Sequence, residues 1–168
     1  MAKQPKKLDD LFHDTLKDVY FAEKKILSAL AKMMKAAQNE DLKAAFEKHR
    51  GETEGQIERL EQVFSIIEAK PQGKTCDAIM GLIKEGEGVL EEYKGSPALD
   101  AGLLAVAQAV EHYEISRYGT LKAWAEELGH DDAVELLDET LEEEKNTDEA
   151  LTELASSVIN QEAEAEAA

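Results

Sequence analysis

Along most of the chain, apolar residues recur at alternating steps of three and four. That spacing puts them on one stripe of an α-helix. Four long stretches show it. The first runs from about Leu8 to Ala37, and its stripe reads Phe12, Leu16, Val19, Glu23, Ile26, Leu30, Met33, Ala37. The second, from about Leu42 to Lys70, reads Leu42, Phe46, His49, Thr53, Gln56, Leu60, Val63, Ile67. The third ends near Leu128 and reads Leu104, Ala107, Glu111, Glu114, Tyr118, Leu121, Ala125, Leu128. The fourth continues to about Asn160 and reads Ala133, Leu137, Thr140, Glu144, Thr147, Leu151, Leu154, Val158.

Turn chemistry separates the stretches. Asn39 or Asp41 suits the N-cap of the second helix. Pro71 and Gly73 in "KPQGK" stop that helix. "TCDAIMGLIKEGEGVLEEY" follows as a shorter connecting helix. In "KGSP", Ser96 is placed to cap the third long helix with Pro97 at its first position. In "GHDD", Gly129 suits a C-cap and Asp131 an N-cap. The long helices thus form two pairs, each joined by a short turn, and short turns make antiparallel neighbours. A helix of ~30 residues is roughly 45 Å long. The expected fold is all-α: an antiparallel four-helix bundle with an additional shorter helix between the second and third long ones. Residues 1–160 form one domain. The acidic, alanine-rich tail 161–168 is expected to be disordered.

Each stripe turns polar at its middle and stays apolar on either side. Glu23 interrupts the first. His49, Thr53 and Gln56 interrupt the second, with Glu52 beside them. Glu111 and Glu114 interrupt the third. Thr140, Glu144 and Thr147 interrupt the fourth, with Glu143 adjacent. Midpoints of antiparallel helices meet at one level. The pattern therefore predicts one buried layer holding Glu23, Glu52, Glu111, Glu114 and Glu143 or Glu144. Bare carboxylates cannot be buried together, so they must protonate, pair with cations or bind metal. Basic residues are scarce on these faces, and metal is the economical solution.

Charge narrows the partners. The chain has 37 acidic and 19 basic residues, a formal net charge of −18. Such a surface repels nucleic-acid phosphates and anionic membranes. "AGLLAVAQAV" is too short and too interrupted to span a bilayer. The basic start "MAKQPKK" is not followed by an apolar run, so no secretory signal is read there. Cys76 is the single cysteine, which excludes an internal disulfide and fits a reducing, cytoplasmic setting. Cys76 is expected to be buried among Ile79, Met80 and Ile83. Tyr20 and Tyr118, one turn from Glu23 and Glu114, are candidates to hydrogen-bond the acidic layer. His112 is expected to face away from it. Trp124 is expected in the core or at a dimer interface.

Four stretches, "DVYFAEKKIL", "EKHRGETEGQIERLEQVF", "AVEHYEISRYGTL" and "LLDETLEEEKNTDEALTEL", together resemble the YciE/YciF-like proteins of the ferritin-like superfamily, relatives of rubrerythrins. The resemblance covers nearly the whole chain apart from the tail. It implies a ferritin-like bundle and a centre of two iron or manganese ions in a stress-associated protein. Carried over by residue, it implies Glu23 as the first-helix ligand and Glu52 as a bridging ligand of the second. It implies Glu111 and Glu114 from "EHYE", and Glu143 as the fourth-helix bridge, with Glu144 the fallback. The chain departs from the family of sites in one respect. The positions three after Glu52 and Glu143 are Gly55 and Asn146, so neither Glu-x-x-His histidine is present. His49 or Gln56 could compensate. Such a protein would act on O₂ or peroxide and form a homodimer. The alternative is a non-catalytic homodimeric stress or interaction protein that keeps a vestigial metal site. An iron-storing cage ranks third, since the sequence carries no assembly signal.

Overall fold

The computed structural model describes residues 5–165. Met1–Gln4 of the basic start and the last three residues of the tail lie outside them. Helices α1 (Leu8–Ala36), α2 (Glu40–Ile66), α4 (Leu99–Leu128) and α5 (Asp131–Leu154) are the four long ones, and α3 (Asp77–Glu92) is the short connector. No strand occurs among the described residues. After α5 the chain makes one π-helical turn, Ala155–Ile159, and ends in α6, Asn160–Glu164. The helix therefore runs into the segment expected to be disordered. No helix among the described residues is long and apolar enough to cross a membrane.

Cross-helix contacts fix the topology. Along α1 and α4, Glu23 meets Tyr118 and Gln38 meets Asp100. Along α4 and α5, Gln108 meets Asp148 and Lys122 meets Asp138. Along α2 and α5, Glu52 meets Thr147 and Arg59 meets Glu139. Tyr20 of α1 meets Glu61 of α2 across their short turn. All neighbouring long helices are thereby antiparallel. The α2–α4 connection must return along the length of the bundle, as in ferritin-like folds. Its extended part runs beside α1, where Lys74 donates its backbone N–H to Lys17 O at 3.1 Å. Helix α3 then packs on α1 and α4. Gly102 lets it approach α4 closely: a Cβ there would lie 2.7 Å from Val89 Cγ1.

The caps differ in detail from the sequence expectation. Asn39 does cap α2, its side chain accepting from the N–H groups of Asp41 and Leu42. Gly129, at φ 74°, ends α4 in the left-handed conformation. Ser96 and Pro97 fall two positions too early: Ser96 Oγ accepts from Ala98 N–H in the turn before the helix, and Ala98 is the N-cap. Helix α4 begins at Leu99. Likewise His130, not Asp131, precedes α5. Helix α2 stops at Ile66 rather than Lys70, because Glu68 adopts a left-handed backbone with φ 54°. Cys76 is buried as expected, but it sits just before α3 with its sulfur 3.2 Å from Tyr113 Oη.

One buried acid secures the α1–α2 turn. The carboxylate of Asp100, 5% exposed, accepts the backbone N–H groups of Gln38 (2.9 Å) and Asn39 (2.6 Å). It satisfies donors that a helix start otherwise leaves orphaned.

The apolar core is divided. One cluster, including Ile26, Leu30, Phe46, Leu103, Leu104 and Leu151, fills the end of the bundle near that turn. The other, including Phe12, Leu16, Phe64, Leu121, Ala125 and Leu137, fills the opposite end. The polar layer lies between them.

Candidate metal centre

The layer is buried. Glu23, Thr53 and Glu144 are fully inaccessible, Gln56, Glu111, Glu114 and Thr140 are 1% exposed, and His49 is 3% exposed. Helical spacing explains how each arrives. His49, Thr53 and Gln56 follow one stripe of α2, Glu111 and Glu114 stand one turn apart on α4, and Glu144 shares a stripe of α5 with Thr140 and Thr147.

The geometry brings five residues together. One ligand atom each from His49, Glu111, Glu114 and Glu144 lies within 4.8 Å of the others, so these four could hold a metal ion. His49 Nδ1 is 2.7 Å from Glu111 Oε1, and its Nε2 is 3.8 Å from Glu144 Oε2. The first contact is close but lacks hydrogen-bond geometry, so Glu111 Oε1 counts as unpartnered. Glu23 completes the group beside Glu114. Its Oε1 accepts a short hydrogen bond from the Tyr118 hydroxyl.

Burial dominates the electrostatics. Loss of water pushes the Glu23 carboxyl up to about 8, with the Glu144 charge adding to the effect and the Tyr118 bond opposing it. Burial likewise pushes Glu111 up to about 8. Glu114 and Glu144 are held well above the ordinary carboxylate range, first by burial and then by neighbouring glutamates. Tyr118 is raised by burial and by Glu23.

The donor set fits a metal. Glu23 Oε2, both oxygens of Glu111, Glu114 and Glu144, and His49 Nε2 are buried without a hydrogen-bond partner. Each orphaned atom costs about 1–3 kcal/mol unless something satisfies it. The natural partner for such a convergence of carboxylates and one imidazole is a hard or borderline cation.

Two of the expected ligands face elsewhere. Glu52 is turned to the bundle's edge, its side chain 23% exposed and paired with Lys48. Thr53 takes the inward position, its hydroxyl bonded to His49 O at 2.9 Å. Glu143 is held by Arg59 (2.6 and 2.8 Å) and by Gln56 Nε2 (3.1 Å), while Glu144 faces the centre. In both helices the error is one residue, about 100° of helix phase. The hydrophobic stripes pass through Thr53 and Glu144, not through Glu52 and Glu143, and that was the available signal. Gln56 borders the layer through Glu143 rather than joining the central group. Tyr20 donates to Glu61 at 2.7 Å instead of to Glu23. His112 points outward to Asp148, as expected. Trp124 is partly buried against the second apolar cluster. Arg59 and Asp100 have no signature in the sequence, since each acts on residues far along the chain.

Comparison with known proteins places this site in context. Residues 7–164 match the family described as "Domain of unknown function (DUF892)". Protein YciF of Escherichia coli (strain K12) is 49% identical over 160 residues, covering 95% of this chain and 96% of YciF. The crystal structure of the E. coli stress protein YciF superposes with a TM-score of 0.88 at 47% identity, covering 94% of this chain and 99% of that one. The structure of YcfI from Rhodopseudomonas palustris gives a TM-score of 0.85 at 49% identity, covering 90% and 97%.

Proposed function

The chain belongs to the DUF892 family, with YciF among its relatives, and from that premise we propose that it is a stress-associated metal-binding protein whose bundle core holds two iron or manganese ions. The observation that carries the reading is the convergence of Glu23, Glu111, Glu114, Glu144 and His49 with their buried oxygens unpartnered. Four ionised carboxylates are neutralised by two divalent cations, which supports two ions over one. An oxygen-rich set with a single imidazole suits manganese or iron.

The residues have separable tasks. His49, Glu111, Glu114 and Glu144, whose ligand atoms lie within 4.8 Å of one another, would hold one ion, and Glu23 would extend the centre from α1. Tyr118 keeps its proton on Oη and orients Glu23 through Oε1. The apolar clusters above and below exclude water. When bound, such ions supply redox chemistry toward O₂ or peroxide.

The test is elemental analysis after expression with iron and manganese. About two ions per chain are expected, as in carboxylate-rich bundle sites. Fewer than one ion per chain, unchanged by Glu23→Ala and Glu111→Ala, overturns the proposal.

A second reading has its own support. Gly55 and Asn146 stand where Glu-x-x-His histidines would be, which favours a non-catalytic stress protein with a vestigial site. Bound metal without peroxide consumption or ferroxidase turnover would select it. Under either reading the protein is proposed to work in the cytoplasm as a homodimer. A groove of about 670 Å³ lined by Met33, Met80, Leu82, Ile83, Val106 and Val110 offers an apolar surface for pairing. A light-scattering mass near a dimer excludes the cage.

A further inference from the structure

The seam between α2 and α5 is polar through the middle of the bundle. Gln56 and Arg59 of α2 bond Glu143 of α5, and Thr147 Oγ1 donates to Glu52 Oε2 at 3.4 Å. Because α2 and α5 are antiparallel, the Glu52–Thr147 pair stands at a level between His49, one turn back on α2, and Glu144, one turn back on α5. The Glu52 side chain is 23% exposed and Thr147 is 8% exposed, so this pair connects solvent to the layer. Lys48, with a 65% exposed side chain, lies across the outer oxygen of Glu52.

Glu52 is not an isolated surface acid. One turn to either side of it on α2 are two buried atoms without a partner, Gln56 Oε1 and His49 Nε2, on residues 1% and 3% exposed. The Gln56 amide lies on the seam itself, since its Nε2 reaches Glu143. Glu52, Thr147, Gln56, His49 and Glu144 thus give the seam oxygen and nitrogen donors from its half-buried edge to the layer.

We propose that the α2/α5 seam is the path by which divalent cations reach the centre, with Glu52 as their first, transient ligand and Lys48 as the side chain that must move aside. The proposal rests on the metal-binding reading above. The physical basis is stepwise dehydration. A cation exchanges water for the Glu52 carboxylate, then for the Thr147 hydroxyl and the Gln56 carbonyl, then for Glu144 and His49. The strongly acidic surface concentrates cations outside, and an acid at the mouth focuses them further. A lysine on a flexible stem closes the mouth at little cost, because an exposed ion pair is weak.

Asp148 provides the control. Its side chain, 22% exposed, lies on the α4/α5 seam against His112 and Gln108. Both Asp148 and Glu52 raise Glu111 electrostatically, so removing either charge alters the field at the centre in the same direction. Only Glu52 lies on the proposed path.

Stopped-flow uptake of Co²⁺ by the metal-free protein, followed by visible absorption, tests this. Glu52→Gln should slow uptake about tenfold or more, the scale of lost electrostatic focusing. Its final stoichiometry should equal that of the unsubstituted protein. Lys48→Ala should speed uptake, and Asp148→Asn should leave the rate within about twofold, as expected for a charge off the path. Equal slowing by Glu52→Gln and Asp148→Asn would overturn the path. So would an unchanged rate in Glu52→Gln, or a loss of bound metal there, which would make Glu52 a permanent ligand. Absence of Co²⁺ binding to the unsubstituted protein would instead overturn the metal-binding reading, and the path with it.

Discussion

Stripping the protein of metal and raising the pH from about 5 to about 8 should destabilise it steadily, which is opposite to the behaviour of proteins whose carboxylates are salt-bridged. The reason lies in Glu23 and Glu111, both pushed up to about 8 from a usual 4.5 by burial. Between those two values the folded chain keeps protons that the unfolded chain has released. Raised acids contribute no penalty below about pH 4.5, and the penalty grows until the pH passes the folded value. Each retained proton lowers the unfolding free energy by about 1.4 kcal/mol per pH unit, so these two give a slope of roughly 3 kcal/mol per pH unit, which Glu114 and Glu144, also raised, steepen. Domains have a total stability of about 5–15 kcal/mol, so two or three pH units can remove most of it. Urea titrations in chelator at several pH values measure the slope. Glu111→Gln should make it shallower by about 1.4 kcal/mol per pH unit and make the metal-free protein more stable at about pH 8. Saturating Mn²⁺ should largely flatten it, because the metal-bound carboxylates hold no more protons than those of the unfolded chain. A metal-free stability that is flat or rising over this range would refute the reasoning.

Other substitutions test separate parts of the structure. Tyr118→Phe leaves Glu23 Oε1 buried without its donor and should cost about 1–3 kcal/mol in chemical denaturation. Asp100→Ala removes the acceptor for two backbone N–H groups and should cost about 2–4 kcal/mol, read as a lowered Tm. Glu68→Gly relieves a left-handed non-glycine residue and should add about 1 kcal/mol. Leu16→Ala opens a cavity in a fully buried position and should cost about 2–5 kcal/mol, measured by urea midpoint.

The bundle and its acidic layer were legible because four independent stripes lose their apolar character at the same level. Glu23, Glu111 and Glu114 followed directly, being the charged members of otherwise apolar stripes. The choices between Glu52 and Thr53, and between Glu143 and Glu144, were harder. Adjacent residues on a helix differ by about 100°, and in an acidic run the chemistry of neighbours does not distinguish them. Packing decides the phase: Leu60 and Val63 fix α2, and Leu137 and Leu151 fix α5. The stripes already favoured Thr53 and Glu144, whereas the family resemblance favoured their neighbours. Arg59 was not legible at all, because its partners Glu139 and Glu143 are distant in sequence and become neighbours only in the fold.

The division of the apolar core into two clusters has a consequence for how such a protein can change over generations. Each cluster closes its own end of the bundle, so the scaffold stands without help from its middle. Donors there can be exchanged, a histidine for a threonine or an asparagine, without toppling the helices that carry them. A fold arranged this way can keep its shape while its inorganic chemistry drifts from one metal to another, or lapses.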